Sequence, residues 1–585
     1  MADIAQKHSR QVGMNSTLPE VTSKAEGRAR LFPALRPHAV MWMGGSWLLL
    51  SLPTLVYPFG RDQGVFAYIG ERLFTGARLY VDLWDVKSPL VYWMYGLALK
   101  LANSQTIGVR LMDMILAALT AYLVYSLAIN MRGAQISQSS GSSRGEYVGV
   151  VAGILYLLWY YLPNDYRVLA NCESFITPFL VLGMLFIVRA AQEPAKSMPL
   201  WFWGGMALGA TTLFKTTGLV FVLPALGAAL ALSSENNWRR RLFAGGALVA
   251  GFVAPLLLGW LYLARTGALA DWLYMNLTYL PSYTAVSYTE SIWVDLTRPI
   301  YIFGAFATIY PALITGLALF GVGIVIRWRM MRRRGGHYSG QSMRVRYIVL
   351  TFGLVYAGVV AVQGKYLHYH FLPLLGPFSA LIAVAVLDSL EDFRASLWTK
   401  SLALLTLALG LAHVWSLPTR WLSLGKMMAY ENYAEQYCEE LSTGNYSCAT
   451  SRQIGDYLRK NAQAGDKLLV WSFEPEIYFL SGLEPSSRFL FNTPFFAGSI
   501  SAAWKVELMM DLMSRPPDYV VIGEGDGLPL ITGDSYNSKD RLKEVEGLSE
   551  FIKVNYEPVE TIDKFTILKR RIFGAIPHQR QIRRP

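Results

Sequence analysis

Long apolar runs recur along the first two thirds of this chain, and no other feature restricts its fold as much. A helix needs roughly 18 residues or more to cross about 30 Å of hydrocarbon. Runs of that kind centre on 40–57, 107–130, 147–162, 174–190, 199–214, 218–233, 242–263, 300–326, 347–362, 371–388 and 400–416. The expectation is an α-helical multi-pass membrane protein with about 11 transmembrane helices. Composition agrees, since 53% of the 585 residues are hydrophobic and only 16% charged, against roughly 25% charged in soluble proteins. Disorder and a disulfide scaffold are excluded, because three Cys cannot staple a chain this long.

The net charge of +12 would fit nucleic acid if it formed a groove. Its placement excludes that partner. Lys and Arg gather in short loops between apolar runs, at Arg239-Arg240-Arg241 and from Arg327 through Arg332-Arg333-Arg334 to Arg346. Such loops lie on the cytoplasmic side of a membrane. Residues 1–36 are polar, Ser-rich and basic without an apolar core, and read as a disordered cytoplasmic tail. The transmembrane domain is expected over 37–418, with a first external loop at 58–106 carrying short interfacial helices.

After Pro418 the composition becomes that of a soluble domain, so 419–585 reads as an extracytoplasmic α/β domain. "GDKLLVWSF" and "PDYVVIGEG" are buried strands by pattern, and "TSRQIGDYLRKNA" and "SAAWKVELMMDLMSR" amphipathic helices. Alternation of the two predicts a mostly parallel sheet. Cys438 and Cys448 either form a local disulfide or are two buried thiols, and the sequence reads the same for both.

Ionisable groups collect at the external ends of the spans. Asp62 follows the first span directly, where a carboxylate is costly to desolvate and is a functional candidate. A solvated Asp62 paired with Arg61 is the plain alternative. Asp82, Asp85 and Lys87 follow in the same loop. Acids and a cation so close together can activate a hydroxyl and neutralise a phosphate. Asp165, Arg167 and Glu173 lie in or beside the second external loop. Lys215 sits at the external end of the fifth span, where it either meets an anion or snorkels to the interface. "QGKYLHYHFLP" adds Lys365, His368, Tyr369 and His370. Two His at i and i+2 on a helix face different ways, so this pair alone does not make a zinc site.

Together these pieces resemble the GT-C superfamily of membrane glycosyltransferases, in particular the protein O-mannosyltransferases and lipid A aminoarabinose transferases. The resemblance rests on Asp62-Gln63-Gly64 with Tyr68, on Gly76 through Tyr80, Asp82, Lys87 and Pro89, and on Asn171-x-Glu173. Gly209 with Lys215, Lys365 with His368-Tyr369, and Pro373 complete it. It implies a GT-C fold and transfer of a sugar from a polyprenyl phosphate to a hydroxyl on a glycan, lipid or protein. Asp62 would then be the general base, with Lys87, Lys215, Lys365 and His368 holding the donor phosphate. Asp82, Asp85, Asp165, Glu173 and Tyr369 would meet acceptor or sugar. Relatives carry Lys-Pro-Pro where this chain has Lys87-Ser88-Pro89, which loosens the turn after Lys87. No Asp-x-Asp stands near the first span, so the sequence gives no support for a metal or other cofactor. A lipid or sugar flippase is the competing expectation, and an inactive scaffold subunit a second. A bacterial inner membrane is the expected location.

Overall fold

The structure is a computed structural model describing residues 32–571 apart from 133–142, 194–196, 234–236, 288–291, 334–339, 393–394, 431–432, 443–445 and 497–501. Nearly all of the expected amino-terminal tail, and the side chains of the Arg-rich stretch 327–342, lie outside the described residues. Among the described residues seven helices are long and apolar enough to cross a membrane: 37–56, 106–132, 172–192, 238–265, 343–363, 368–391 and 397–429. Shorter apolar helices at Leu90–Leu101, Glu146–Tyr161, Thr216–Leu232 and Pro311–Ile326 accompany them. The chain is a multi-pass membrane protein. His368–Glu391 is the central helix, 94% buried, which its run of Leu, Ala, Val and Gly permits by letting neighbours approach on every side.

Two expected spans come out differently. The run 300–326 is two helices, Ile292–Ile309 and Pro311–Arg333, because Pro311 has no N–H to carry the ladder past Tyr310. The last run extends from Leu397–Gly410 through a short turn into Leu417–Ala429. The expected boundary between 418 and 419 therefore falls within that second helix.

The first four α-helices are gathered around the segment 58–106. Helix α1 (Pro37–Ser51) enters it, α2 (Arg61–Leu73) and α3 (Leu90–Leu101) pack as a hairpin inside it, and α4 (Thr106–Arg132) leaves it. Arg110 of α4 is fully buried and donates to the carbonyls of Tyr57, Pro58, Tyr166 and Leu169, tying the starts of two interhelical segments to one point. Gln63 repeats the device. Its Nε2 donates to the carbonyls of Tyr166, Arg167 and Leu169, while its Oε1 accepts from Gly60 at the start of α2.

The carboxyl-terminal unit is built on a five-stranded sheet: β1 (Lys467–Trp471), β2 (Glu484–Pro485), β3 (Tyr519–Gly523), β4 (Tyr556–Ile562) and β5 (Phe565–Arg570), in the order β2-β1-β3-β5-β4. β1 and β3 are the two strands read from sequence, and Cys448–Asn461 and Ala502–Ser514 are the two helices. The sheet is mixed rather than mostly parallel. β1 pairs in parallel with β2 and β3, but β5 runs antiparallel to β3 and β4. The cause is local, since only Asp563 and Lys564 separate β4 from β5, and a two-residue connection can only make a hairpin. Asp563 takes a left-handed conformation there, φ 50°. Cys438 and Cys448 form a disulfide.

This unit is clamped on the segment 58–106. Trp84 bridges to Phe489, donates its backbone N–H to the Arg488 carbonyl at 2.8 Å, and packs its ring among Tyr279, Phe491 and Trp504. The Tyr68 hydroxyl donates to the Leu483 carbonyl at 3.1 Å. At Gly64, a Cβ would lie 2.1 Å from Glu476 Cβ, so α2 touches the carboxyl-terminal unit backbone to backbone. Gly64→Val should pry the two apart. We expect a stability loss of ~1–3 kcal/mol, the range typical of overpacking, read as a lower melting temperature in detergent. Faster proteolysis between the last span and the sheet should accompany it.

Candidate active site

Each functional side chain is placed by a short irregular segment at a helix end, which is why spacing in sequence did not reveal the grouping. Asp62 stands in the first turn of α2, half-buried. It is not paired with Arg61, whose guanidinium turns to the carboxyl-terminal unit and binds Glu474 at 2.6 Å. Asp62 instead accepts from Asn171 Nδ2 at 3.1 Å. Asn171 is also the cap of the Cys172–Gln192 helix, its Oδ1 accepting from Cys172 N at 2.8 Å. The residue before it, Ala170, takes a left-handed φ of 61°. Its N–H donates to Asp113 and its carbonyl accepts from Tyr95. Such strain persists only where the surroundings fix it, and here it aims Asn171 at Asp62.

Lys87 and Lys215 come together because the end of the first loop is stitched to the end of the Met198–Thr211 helix. Ser88 N and Leu90 N donate to the carbonyls of Phe214 and Leu213. Burial would lower the Lys87 pKa, but the charges of Asp62, Glu173 and Asp85 outweigh it and raise the ammonium above its usual value. Lys215 Nζ donates to Glu173 Oε1 at 2.6 Å and Gln363 Oε1 at 2.9 Å. Glu173 is fully buried in the first turn of its helix. An ammonium has three donors, so Lys215 keeps one in hand.

Both lysines line a cavity of about 850 Å³. Leu219, Val220, Val355, Val359 and Val362 form an apolar wall, and Lys365, Tyr369 and His370 close the polar end. Lys365 lies over the Tyr283 ring at 4.4 Å and donates to the Ile531 carbonyl at 3.4 Å, so the carboxyl-terminal unit reaches the cavity mouth. Burial, with Arg298 nearby, brings the Lys365 pKa down to about 8. The Tyr369 hydroxyl is within electrostatic reach of Asp62 and Glu173, linking the cavity to the carboxylate beside it.

Asp62, Lys87, Lys215, Glu173, Lys365 and Tyr369 thus form one group. The remaining candidates are placed elsewhere. Asp82 is exposed and held by Arg78 at 2.9 Å. Asp165 is taken by Arg167 at 2.6 Å, and His368 stands near that pair rather than on the cavity wall. His368 and His370 do face different ways. Asp85 is buried behind Lys87, accepting from Val86 N and the Tyr92 hydroxyl. Asn171 and His370 stand in the motifs read from sequence without a role at the site, and Gln363 has none there either. Asn171 stands two residues from Glu173 and His370 one from Tyr369, while Gln363 ends a helix with nothing in its type to mark it.

Asp85 carries a test of this packing. Burial raises its pKa from 3.8 to about 6, against the lowering effects of Lys87, Tyr92 and Val86 and with Asp62 adding to the rise. A carboxyl raised on folding adds stability below its unfolded pKa and loses it as pH climbs through the folded one. Wild type should therefore lose roughly 3 kcal/mol relative to Asp85→Asn as pH rises from about 4 to above 6. Melting curves in detergent across that range check it, and parallel profiles would refute it.

Comparison with known proteins agrees with this architecture. Residues 86–260 match the model of the family described as dolichyl-phosphate-mannose-protein mannosyltransferase. That match holds Lys87, Asp165, Asn171, Glu173 and Lys215. Over nearly its whole length the chain has the fold of ArnT from Cupriavidus metallidurans. The structure of ArnT bound to undecaprenyl phosphate superposes with a TM-score of 0.52 at 13% identity, covering 92% of this chain and 98% of that one. The apo structure gives 0.53 at 14% identity, with coverage of 91% and 97%. Among curated proteins no sequence matches. The resemblance to GT-C membrane glycosyltransferases is thus supported by a family match and by the fold.

Proposed function

We propose that this protein transfers a sugar from a polyprenyl phosphate to a hydroxyl acceptor at the extracytoplasmic face of a bacterial inner membrane. One observation carries the reading. A cavity with an apolar wall ends in Lys87, Lys215 and Lys365, and Lys87 feels the Asp62 carboxylate beside it. An isoprenoid chain needs the apolar wall, its phosphate needs the cations, and the transfer needs a base.

In this scheme the acceptor oxygen attacks the anomeric carbon and Asp62 takes its proton. The bond from that carbon to the phosphate oxygen breaks, and the phosphate leaves with the electron pair. Direct displacement inverts the anomeric centre. Lys87 and the third donor of Lys215 neutralise the departing charge, which is worth most in a site with little water. Asn171 holds Asp62 in place, so the base is positioned before substrate arrives. The acceptor is a glycan, a lipid or a protein, and the carboxyl-terminal unit lies outside the membrane beside it, with the amino terminus inside.

The test is turnover by purified protein in lipid with labelled polyprenyl-phosphate sugars and envelope acceptor fractions. Release of polyprenyl phosphate with label on an acceptor supports the reading. Movement of intact donor across the bilayer without consumption would replace it with the flippase.

A further inference from the structure

One carboxylate inside the membrane-spanning bundle has no part in the scheme above. Asp113 stands two turns into α4, a helix long and apolar enough to cross a membrane, and is 1% exposed. Charge at such depth is costly, and where it occurs it marks a functional group. Its hydrogen bonds go to neutral donors. Oδ1 accepts from the Tyr160 hydroxyl and, at 3.1 Å, from the Ala170 N–H. Oδ2 has no hydrogen-bond partner among the described residues.

Ala170 is where this carboxylate meets the segment beside Asp62. Its φ of 61° is a conformation that Gly or Asn takes readily and Ala does not. An alanine stays there only when its neighbours hold it. Gln63 and Arg110 fix the Leu169 carbonyl at 3.1 and 3.4 Å. Tyr95 donates to the Ala170 carbonyl at 2.6 Å, and Asp113 takes the Ala170 N–H. Asp113 and Tyr95 thus hold the two peptide planes that flank Ala170, whose mutual angle φ and ψ describe. Arg110 and Asp113 lie three residues apart on one face of α4, so a single helix grips the turn on both sides. These two are also the charged members, and charge-assisted hydrogen bonds are the stronger kind. The next residue is Asn171, whose Nδ2 donates to Asp62 at 3.1 Å.

We propose that Asp113 is a positioning residue for sugar transfer, holding Ala170 in its left-handed turn and so aiming Asn171 at Asp62. This inference rests on reading Asp62 as the base of a polyprenyl-phosphate sugar transferase. Asp113 touches neither substrate nor reacting atoms, and its effect reaches the reaction through the Ala170–Asn171 peptide. It acts on the rate of the chemical step and leaves donor binding alone, since it does not line the cavity that holds Lys87 and Lys215.

Turnover by the full chain in lipid nanodiscs tests this. Labelled undecaprenyl-phosphate sugars with envelope acceptor fractions give the kinetics, and bare undecaprenyl phosphate is the binding probe. Asp113→Ala should lower kcat about ten- to a hundredfold, the size expected of a misplacement of about 1 Å. KM for the donor and binding of undecaprenyl phosphate should stay close to wild type. Asp113→Asn keeps an acceptor for the Ala170 N–H and should retain most of the turnover. Asn171→Ala supplies the second arm. If Asp113 acts through Asn171, the double variant is no slower than the slower single one, because both losses share one route. Losses that multiply overturn the proposal. So do an unchanged kcat in Asp113→Ala and a weakening of undecaprenyl phosphate binding that matches the fall in kcat. Gly takes a φ of 61° without strain, so Ala170→Gly covers the case in which Asp113→Ala does not fold. The combined variant should regain the fold and part of the turnover. A combined variant that stays unfolded, or folds without turnover, makes Asp113 a plain structural residue. Wild type that consumes none of the labelled lipids overturns the transfer reading itself, and this role with it.

Discussion

Asp62→Asn should lower sugar transfer by about two to four orders of magnitude, the range a positioned general base supplies. Donor affinity should stay close to wild type. The substitution is nearly isosteric, and the oxygen that accepts from Asn171 at 3.1 Å is retained in the amide. The helix α2 keeps its other anchors, Gln63 on the second loop and Tyr68 on the carboxyl-terminal unit. A loss of turnover with intact folding and donor binding therefore reports on the proton alone. Turnover equal to wild type would remove Asp62 as the base, and lost donor binding would make it a structural carboxylate. Asn171→Ala should give a weaker version of the same defect, because Asp62 keeps its charge but loses its anchor.

Lys215→Ala has the second large effect, and it is one of folding before chemistry. Its removal leaves Glu173, fully buried, without its 2.6 Å partner. Breaking a buried pair from one side typically costs about 3–5 kcal/mol, whereas replacing both partners is far milder. The single variant should melt well below wild type, and Lys215→Met combined with Glu173→Gln should recover much of the loss. The double variant then separates the two roles, since it should fold yet bind undecaprenyl phosphate poorly. A Lys215→Ala protein with an unchanged melting temperature would show that the pair is solvated. A double variant binding the lipid normally would take Lys215 out of the phosphate site.

The two results bear on one design. Two carboxylates and three lysines share a small volume, and among the described residues only Lys215 and Glu173 close into a direct ion pair there. The fold manages this by assigning the strongest local partners elsewhere. Arg61 goes to Glu474 and Arg167 to Asp165, while Asp82 is held by Arg78. Asp62 is left with neutral partners, the Asn171 amide and the Tyr369 hydroxyl, and Lys215 keeps one donor uncommitted among the described residues.

Membrane class was legible in the sequence because crossing hydrocarbon demands long apolar runs, and those runs cannot be hidden. The two central strands and two helices of the carboxyl-terminal unit were legible for a related reason, each carrying its own period. Asp62, Lys87, Lys215 and Glu173 stood out because charge at a span end is costly. What the sequence did not hold was which charges meet. Asp165 and Asp82 look like Asp62 on paper, yet neighbouring arginines take them. His370 was weighed with His368, and a single turn sends the two to different partners. The mixed sheet turned on two residues between β4 and β5. The grouping of Asp62, Lys87 and Lys215 depends on contacts between segments over a hundred residues apart, and such pairings leave no local trace. Only the packed chain decides them.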